Sequence, residues 1–572
     1  MAAILERAAR KFLPETFKVT DWEALKPFFI ELQEREINSS SDLRKWFQDK
    51  SELESMLEED MAWRYIKMTC DTKNQELTDS YNYFVSEINT HIEPIENELS
   101  KKAVESPFLD ELKNEEGYDI MIRSMRTSIE LFREENIPLN VQSSQESQKF
   151  GAINGAMTIE LDGKELTLQQ ASVYLKDTDR AIREKVYFLI QKRREIDRAK
   201  LDELFNTLIG LRHQIAQNAG FQNYRDYKFK ALGRFDYTPQ DCFDFHESIA
   251  SEIVPLLNQF AEERKSKLGV DKLRPWDGSV DVDGNKPLKA FETGEELLDK
   301  SIRCFDRLST DLGDKLRIMK AMNHLDLDSR IGKAPGGYNY PLDEVGVPFI
   351  FMNAAGQLRD VVTMVHEGGH AVHSFVTRDL ELSDFKHTPS EVAELASMSM
   401  ELMTMDTWDE FFTNEDDFKR AKREHLEQVI ETLPWVATID KFQHWIYENP
   451  THTIDERKSA WNTIYEQFSP SVVDWSGLES NKDYIWQKQL HLYEVPFYYI
   501  EYGMAQLGAI AVYKNFKENK EKGLAQYLAA LKLGYKKPIS TIYEAAGVRF
   551  DFSKAYIKEL IDFIKLELEE VK

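Results

Sequence analysis

Cysteine is scarce: only Cys70, Cys242 and Cys304 occur in 572 residues, and they are far apart. That excludes a dense disulfide scaffold and fits a reducing compartment. None lies near the histidine-rich stretch described below, so thiol catalysis has no support. No run of about 18 apolar residues is present, which argues against a membrane span. Basic charge is in deficit, with 73 Lys and Arg against 100 Asp and Glu, a net −27. Such a chain lacks a general affinity for nucleic acid or anionic lipid. The opening residues, Met1-Ala2-Ala3-Ile4-Leu5-Glu6-Arg7, have no signal-peptide apolar core, so a cytoplasmic protein is expected. Repeats of fixed period and low-complexity tracts are also missing, which sets aside a solenoid or a disordered tail.

What is present is the balance of a soluble globular protein, 42% hydrophobic and 30% charged. Residues 1 to about 135 read as long helices; Trp22, Leu25, Phe28 and Leu32 mark one apolar face, and Ile88, Ile92, Ile95 and Leu99 another. Near residue 157 the period changes. Met157 to Leu161, Asp162-Gly163 and Lys164 to Thr167 predict a hairpin with an Asp-Gly turn, and Thr167 then caps a helix. A turn falls at Asn218-Ala219-Gly220-Phe221, and Arg274-Pro275-Trp276-Asp277-Gly278 opens an irregular segment. There Trp276 is either a channel-lining residue or a buried anchor. Val347 to Asn353 reads as a strand, and Pro348 suits an edge position that can pair with an extended peptide. Amphipathic helices return around Trp435, Phe442, Trp445 and Tyr465. A terminal helix from Lys554 is expected to turn Leu560, Ile561, Ile564 and Leu566 inward.

The chemistry concentrates in Val365-His366-Glu367-Gly368-Gly369-His370-Ala371-Val372-His373. On a helix His366 and His370 stack one turn apart and point the same way. Two such imidazoles can share one Zn²⁺, each nitrogen at roughly 2.0–2.1 Å. Glu367 leans toward that metal without binding it, placed to take a proton from a water the metal activates. This is the H-E-x-x-H pattern of zinc peptidases. Asp360 is a plausible N-cap for the helix. Gly368 and Gly369 each cost a helix about 1 kcal/mol relative to Ala, which makes sense where another backbone or a substrate passes close.

A catalytic zinc site needs a third protein ligand and an open position. His373, three residues beyond His370, would crowd the metal and reads as a core or supporting histidine. A second helix starting at Ser390 after Pro389 carries Glu391 and Glu394 on one face and continues through Leu395, Ala396, Met398 and Met400. A carboxylate buried there needs a partner, and a metal is one. Further on, Tyr499 and Tyr502 are spaced i, i+3 on a helix after Pro496, so both phenols can face one cleft. Phenols and imidazoles such as His491 are useful donors where an oxyanion develops.

His366-Glu367-Gly368-Gly369-His370 followed by Pro389-Ser390 and Glu394 resembles the thimet oligopeptidase and oligoendopeptidase F family of zinc peptidases. The likeness extends upstream to Gly332-Lys333, Gly336-Gly337-Tyr338 and Pro348 to Asn353, and downstream to His491 and the tyrosines. It implies that Glu394, 28 positions after His366 (394 − 366), is the third ligand to one Zn²⁺ per chain. It places oxyanion donors on His491, Tyr499 and Tyr502, with Tyr498 a close competitor for Tyr499. Glu391, Glu401 and Asp360 are candidates to orient the zinc histidines. The implied fold is mainly α: a large helical zincin-type peptidase with a small β-sheet beside the motif helix and a substrate channel between two halves. Residues 1–200 are expected to form a helical lid or channel wall with the small hairpin, and 201–572 the catalytic region. The implied activity is hydrolysis of internal bonds in short unstructured peptides. A zinc carboxypeptidase, or a catalytically idle metal-containing peptide-binding protein, are the alternatives.

Overall fold

The computed structural model describes residues 4–330, 332–334 and 336–572. It is mainly helical, 69% of residues, with two small sheets. The N-terminal helices Trp22–Glu34, Ser40–Cys70, Thr90–Val104 and Tyr118–Leu131 bury one core around Leu25, Phe29, Leu32, Trp46, Ile88 and Leu99. The expected apolar faces are thus packing surfaces, with Phe29 more deeply buried than Phe28. A larger core begins at Phe150 and runs through the rest of the chain. Among the described residues no helix is long and apolar enough to cross a membrane, and all three cysteines are free thiols.

The hairpin forms as its sequence predicts. Strands β1 (Thr158–Leu161) and β2 (Lys164–Thr167) pair antiparallel, with Ile159 opposite Leu166. Asp162 and Gly163 both take positive φ, 52° and 77°, the twist a two-residue loop needs. Thr167 then closes a capping box with Gln170. Trp276 proves to be an anchor, 4% exposed against Tyr187 and Leu478.

The second sheet has the order β3 (Leu325–Asp328), β5 (Phe349–Ala354), β4 (Tyr338–Tyr340). β5 pairs parallel with β3 and antiparallel with β4. It is therefore the central strand, not the expected edge. Pro348 lies just before the paired residues, so its missing N–H disturbs no ladder bond. Because both faces of β5 are covered, Phe349, Ile350, Phe351 and Met352 form an unbroken buried run. Lys333 braces this sheet, its Nζ donating to Asp326 Oδ1 and to the carbonyls of Asp326 and Asp328, at 2.9–3.0 Å, and to that of Met352.

Three residues separate β5 from the motif helix, Leu358–Thr377. Its N-cap is Gln357, not Asp360. Asp360 sits in the first turn, where its Oδ2 accepts from the backbone N–H of Gln357 (2.9 Å) and Ala355 (2.8 Å). Beside the motif helix lies the nearly wholly buried helix Ser390–Thr404, which packs in turn against the helix Tyr499–Glu518. In the terminal helix, Lys554–Glu570, Leu560, Ile561 and Ile564 are buried but Leu566 is 67% exposed. Leu566 follows Ile564 by two residues, which on a helix is the opposite face, and Leu568 takes the inward place.

Candidate active site and metal centre

Gly369 lets the motif helix and the helix Ser390–Thr404 meet. A Cβ on Gly369 would lie 2.6 Å from Ser397 Cα and 2.7 Å from the Ala396 carbonyl oxygen. One on Gly368 would lie 2.6 Å from the Phe305 ring. The neighbour at Gly369 is thus another backbone, that of the helix carrying Glu394. This contact turns residues 28 apart in sequence into neighbours: Glu394 Oε2 is 3.4 Å from His366 Nε2 and 3.7 Å from His370 Nε2. All three donor atoms fall within 4.8 Å of one another.

Those spacings exceed an ordinary N–H···O bond of about 2.7–3.2 Å. They are close to the edge of a tetrahedron, roughly 3.3–3.4 Å, drawn by ligands about 2.0–2.1 Å from a zinc ion. Two imidazoles and a carboxylate are also a donor set for a catalytic zinc. The residues present fit such an ion. Their supports are in place too. Glu401 Oε1 lies 2.6 Å from His366 Nδ1, so among Glu391, Glu401 and Asp360 it is Glu401 that orients a motif histidine. Glu391 is instead held by Tyr237, 2.5 Å away. Ser397 donates to Glu394 Oε2 at 3.0 Å, and Tyr498 to Glu394 Oε1 at 3.3 Å. His373 lies 6% exposed in the core, and burial lowers it to about 4.

Two family models match most of the chain. The model of peptidase family M3 matches residues 173–561, and that of the M3 N-terminal domain matches 12–132. The chain belongs to peptidase family M3. An oligoendopeptidase F homolog from Borreliella burgdorferi is 25% identical over 428 residues, 72% of this chain and 69% of that protein. Among solved structures, a PZ peptidase A with an inhibitor superposes at a TM-score of 0.90 with 25% identity, covering 98% of this chain and 99% of that one. An X-ray structure assigned to oligoendopeptidase F gives 0.88 and 26%, with the same coverage of 98% and 99%.

In this M3 peptidase, His366, Glu367, His491, Tyr499 and Tyr502 all line one cavity of about 2120 Å³. Glu367 is 7% exposed and, among the described residues, its Oε2 has no hydrogen-bond partner. Burial raises its carboxyl to about 7, the negative Glu394 and Glu401 adding to that against the opposing His366 charge. Burial lowers His366, but the Glu401 hydrogen bond and the surrounding carboxylates outweigh it and hold the imidazole up at about 9. Burial drives His370 down, with the charge of His366 adding to it. Asn339 of β4 donates to the Glu367 carbonyl at 3.2 Å, tying the sheet to the motif helix.

His491 packs against Tyr499 and Tyr502, with ring centroids 4.7 and 5.8 Å apart. Its tautomer follows from a chain of contacts. The indole of Trp435 is donor only, and it donates to Gln489 Oε1 at 3.0 Å. The amide nitrogen of Gln489 therefore faces His491 Nδ1, at 2.7 Å, and donates to it. Nδ1 is the acceptor, so the ring proton sits on Nε2. Burial lowers His491 to about 4, which keeps this neutral donor form near neutrality. Tyr499 and Tyr502 line the cavity, and the Tyr498 hydroxyl reaches Glu394.

Sequence reasoning missed Ser397, Trp435, Gln489 and His425. The first had a signal, since Glu394, Ser397 and Glu401 recur at i, i+3 and i+7 on one helix face. The others had none: His425 Nε2, on the next α-helix, Glu415–Glu448, comes within 3.4 Å of Glu401 Oε2.

Proposed function

We propose that this M3 peptidase is a zinc-dependent endopeptidase that cuts internal bonds of short, unstructured peptides. His366, His370 and Glu394 would hold one Zn²⁺, and Glu367 would act as general base and acid. The observation that carries the reading is the convergence of two histidine nitrogens on one carboxylate oxygen, with Glu367 next to His366 on the cavity wall and its Oε2 without a hydrogen-bond partner among the described residues. A zinc ion there supplies a Lewis acid able to bring the pKa of water toward about 7.

The chain's own residues supply the rest. Glu367 takes the proton of the attacking water and passes it to the leaving amine. Nε2–H of His491 and the hydroxyls of Tyr499 and Tyr502 are neutral donors suited to the oxyanion that forms at the attacked carbonyl. The peptide needs an extended path past these groups. With β5 paired on both sides, the sheet's edge strand nearest the motif helix is β4, and Gly336 and Gly337 just before it line the cavity. A wall role for residues 1–200 is supported by Lys176, Tyr187 and Arg194, which line the same cavity. Where such a path closes around its substrate, short peptides are favoured over folded proteins.

The test is digestion of a defined mixture of short peptides, read by mass spectrometry, with and without a chelator. Internal cuts lost on chelation and regained with Zn²⁺ support the reading; release of single terminal residues moves it to a carboxypeptidase. Glu367→Gln should retain zinc while losing most of the turnover. Wild-type turnover by that variant would end the assignment of the base.

A further inference from the structure

Apart from the peptidase site, two helices bring a second set of metal-binding side chains together in the core. Cys242 and His246 are four residues apart on the helix Pro239–Glu252, and Asp440 and His444 are four apart on the helix Glu415–Glu448. Each pair therefore shares one face of its helix, and the two faces meet. His246 Nε2 lies 2.9 Å from Asp440 Oδ2, and His444 Nε2 lies 3.3 Å from the same oxygen. A sulfur of Cys242, an oxygen of Asp440 and a nitrogen of His444 all fall within 4.8 Å of one another. None of the four side chains belongs to a residue more than 1% exposed.

Buried polar groups are normally hydrogen-bonded, and most of these are not. His246 Nε2 and Asp440 Oδ2 bond to each other. Among the described residues, both nitrogens of His444, Oδ1 of Asp440 and Nδ1 of His246 have no hydrogen-bond partner. The rings of Phe229, Phe243 and Phe497 surround His444 instead, with centroids 4.8–5.7 Å away. Donors and acceptors left unmet among apolar rings are costly unless something else binds them. The spacing says what that is. His444 Nε2 and Asp440 Oδ2 make no hydrogen bond, yet their 3.3 Å separation matches the edge of roughly 3.3–3.4 Å between two ligands of one zinc ion. The surface cluster Glu58, Asp343 and His387 differs, since His387 Nε2 already meets Asp343 at 2.6 Å and Glu58 at 3.2 Å.

We propose that Cys242, Asp440 and His444 bind a structural Zn²⁺, separate from the peptidase centre, that ties these two helices together. Sulfur, nitrogen and oxygen donors in one closed pocket suit zinc among the divalent metals. Asp440 can offer both oxygens, which completes four donors from three residues, and His246 orients that carboxylate through its bond to Oδ2. The thiolate is the ligand, so binding releases the Cys242 proton to solvent. The ion also steadies the approach to the tyrosine helix. Gln443, between Asp440 and His444, accepts from the Phe497 N–H at 2.6 Å. Phe497 holds a left-handed φ of 67° two residues before Tyr499.

The test uses Co²⁺ as the probe, supplied while the full-length protein is expressed so that the ion can enter during folding. Metal content is read by mass spectrometry and ligation by absorption. Sulfur bound to Co²⁺ gives a charge-transfer band in the near ultraviolet, which His366, His370 and Glu394, having no sulfur, cannot give. The wild type should show that band. Cys242→Ala should lose both the band and one Co²⁺ per chain. His366→Ala combined with His370→Ala should keep the band with its ion, and so should Cys70→Ser combined with Cys304→Ser. Should Cys242→Ala fail to fold, the wild-type spectrum decides. A wild type without the band overturns the site, as does a band that survives Cys242→Ala. A single ion that gives the band and ignores the histidine substitutions leaves the buried site standing and ends the zinc reading of the peptidase centre. A single ion without the band, lost with those histidines, is the reverse.

Discussion

Gly369→Ala puts one methyl group where the two ligand-bearing helices touch. The new Cβ would sit 2.6 Å from Ser397 Cα, on the helix that carries Glu394. Non-bonded carbons rest about 3.5–4.0 Å apart, so one helix must move by about 1 Å. The obstacle is backbone, which cannot rotate away as a side chain can. Overpacking of this kind costs roughly 1–3 kcal/mol, and replacing Gly by Ala in a helix returns about 1 kcal/mol. Net destabilisation should therefore be small, at roughly 0–2 kcal/mol. The effect on function should be much larger, because the displacement separates Glu394 from His370, and an error of about 1 Å in a catalytic constellation can cost roughly a hundredfold in rate. Chemical denaturation, zinc titration and turnover of a quenched fluorescent peptide measure the three quantities. Gly368→Ala is the control. Its Cβ meets the Phe305 ring on the helix Gly294–Leu308, so it should lose stability while sparing the ligand geometry. If Gly369→Ala binds zinc and turns over like the wild type, the helix contact does not set the site.

Two further outcomes follow from single contacts. Glu401→Gln removes the negative partner of His366 Nδ1 and should weaken zinc affinity roughly tenfold to a hundredfold, measured by competition with a chromophoric chelator; unchanged affinity would show that the 2.6 Å contact has no bearing on the ligand. Asp326 is opposed by burial, but Arg330, Cys70 and Lys333 together hold its carboxyl well below the ordinary range. Its contribution to stability is therefore full above about pH 4, the unfolded value, and is lost as pH falls toward the depressed folded value. Asp326→Asn should flatten the acid limb of the stability profile in unfolding measured at pH 3 and pH 6, and an acid limb as steep as wild type refutes the linkage.

Much of this protein was written locally. Helix periodicity, the Asp-Gly hairpin, the Thr167 cap and the four-residue histidine spacing all depend on neighbours within one or two turns, and the folded chain keeps them. The i, i+3 tyrosines and the glycine pair were visible for the same reason. The family resemblance, carried by those residues, extends over the chain in both its family matches.

Tertiary packing decided the rest. Whether β5 is an edge or a centre depends on β3 and β4, which pair with it from elsewhere in the chain. Asp360 and Gln357 are both able to cap, and the choice came from the turn leaving β5, whose Ala355 N–H also needs an acceptor. Glu401 was chosen over Glu391 because Tyr237, from a loop 154 residues earlier, holds Glu391. The amide of Gln489 was oriented by an indole 54 residues away, and that fixed the proton on His491. The sequence determined which groups carry the chemistry, since that is a matter of residue type and local spacing. Only the fold decided what each group faces, because partners brought together from separate elements of the chain leave no local pattern.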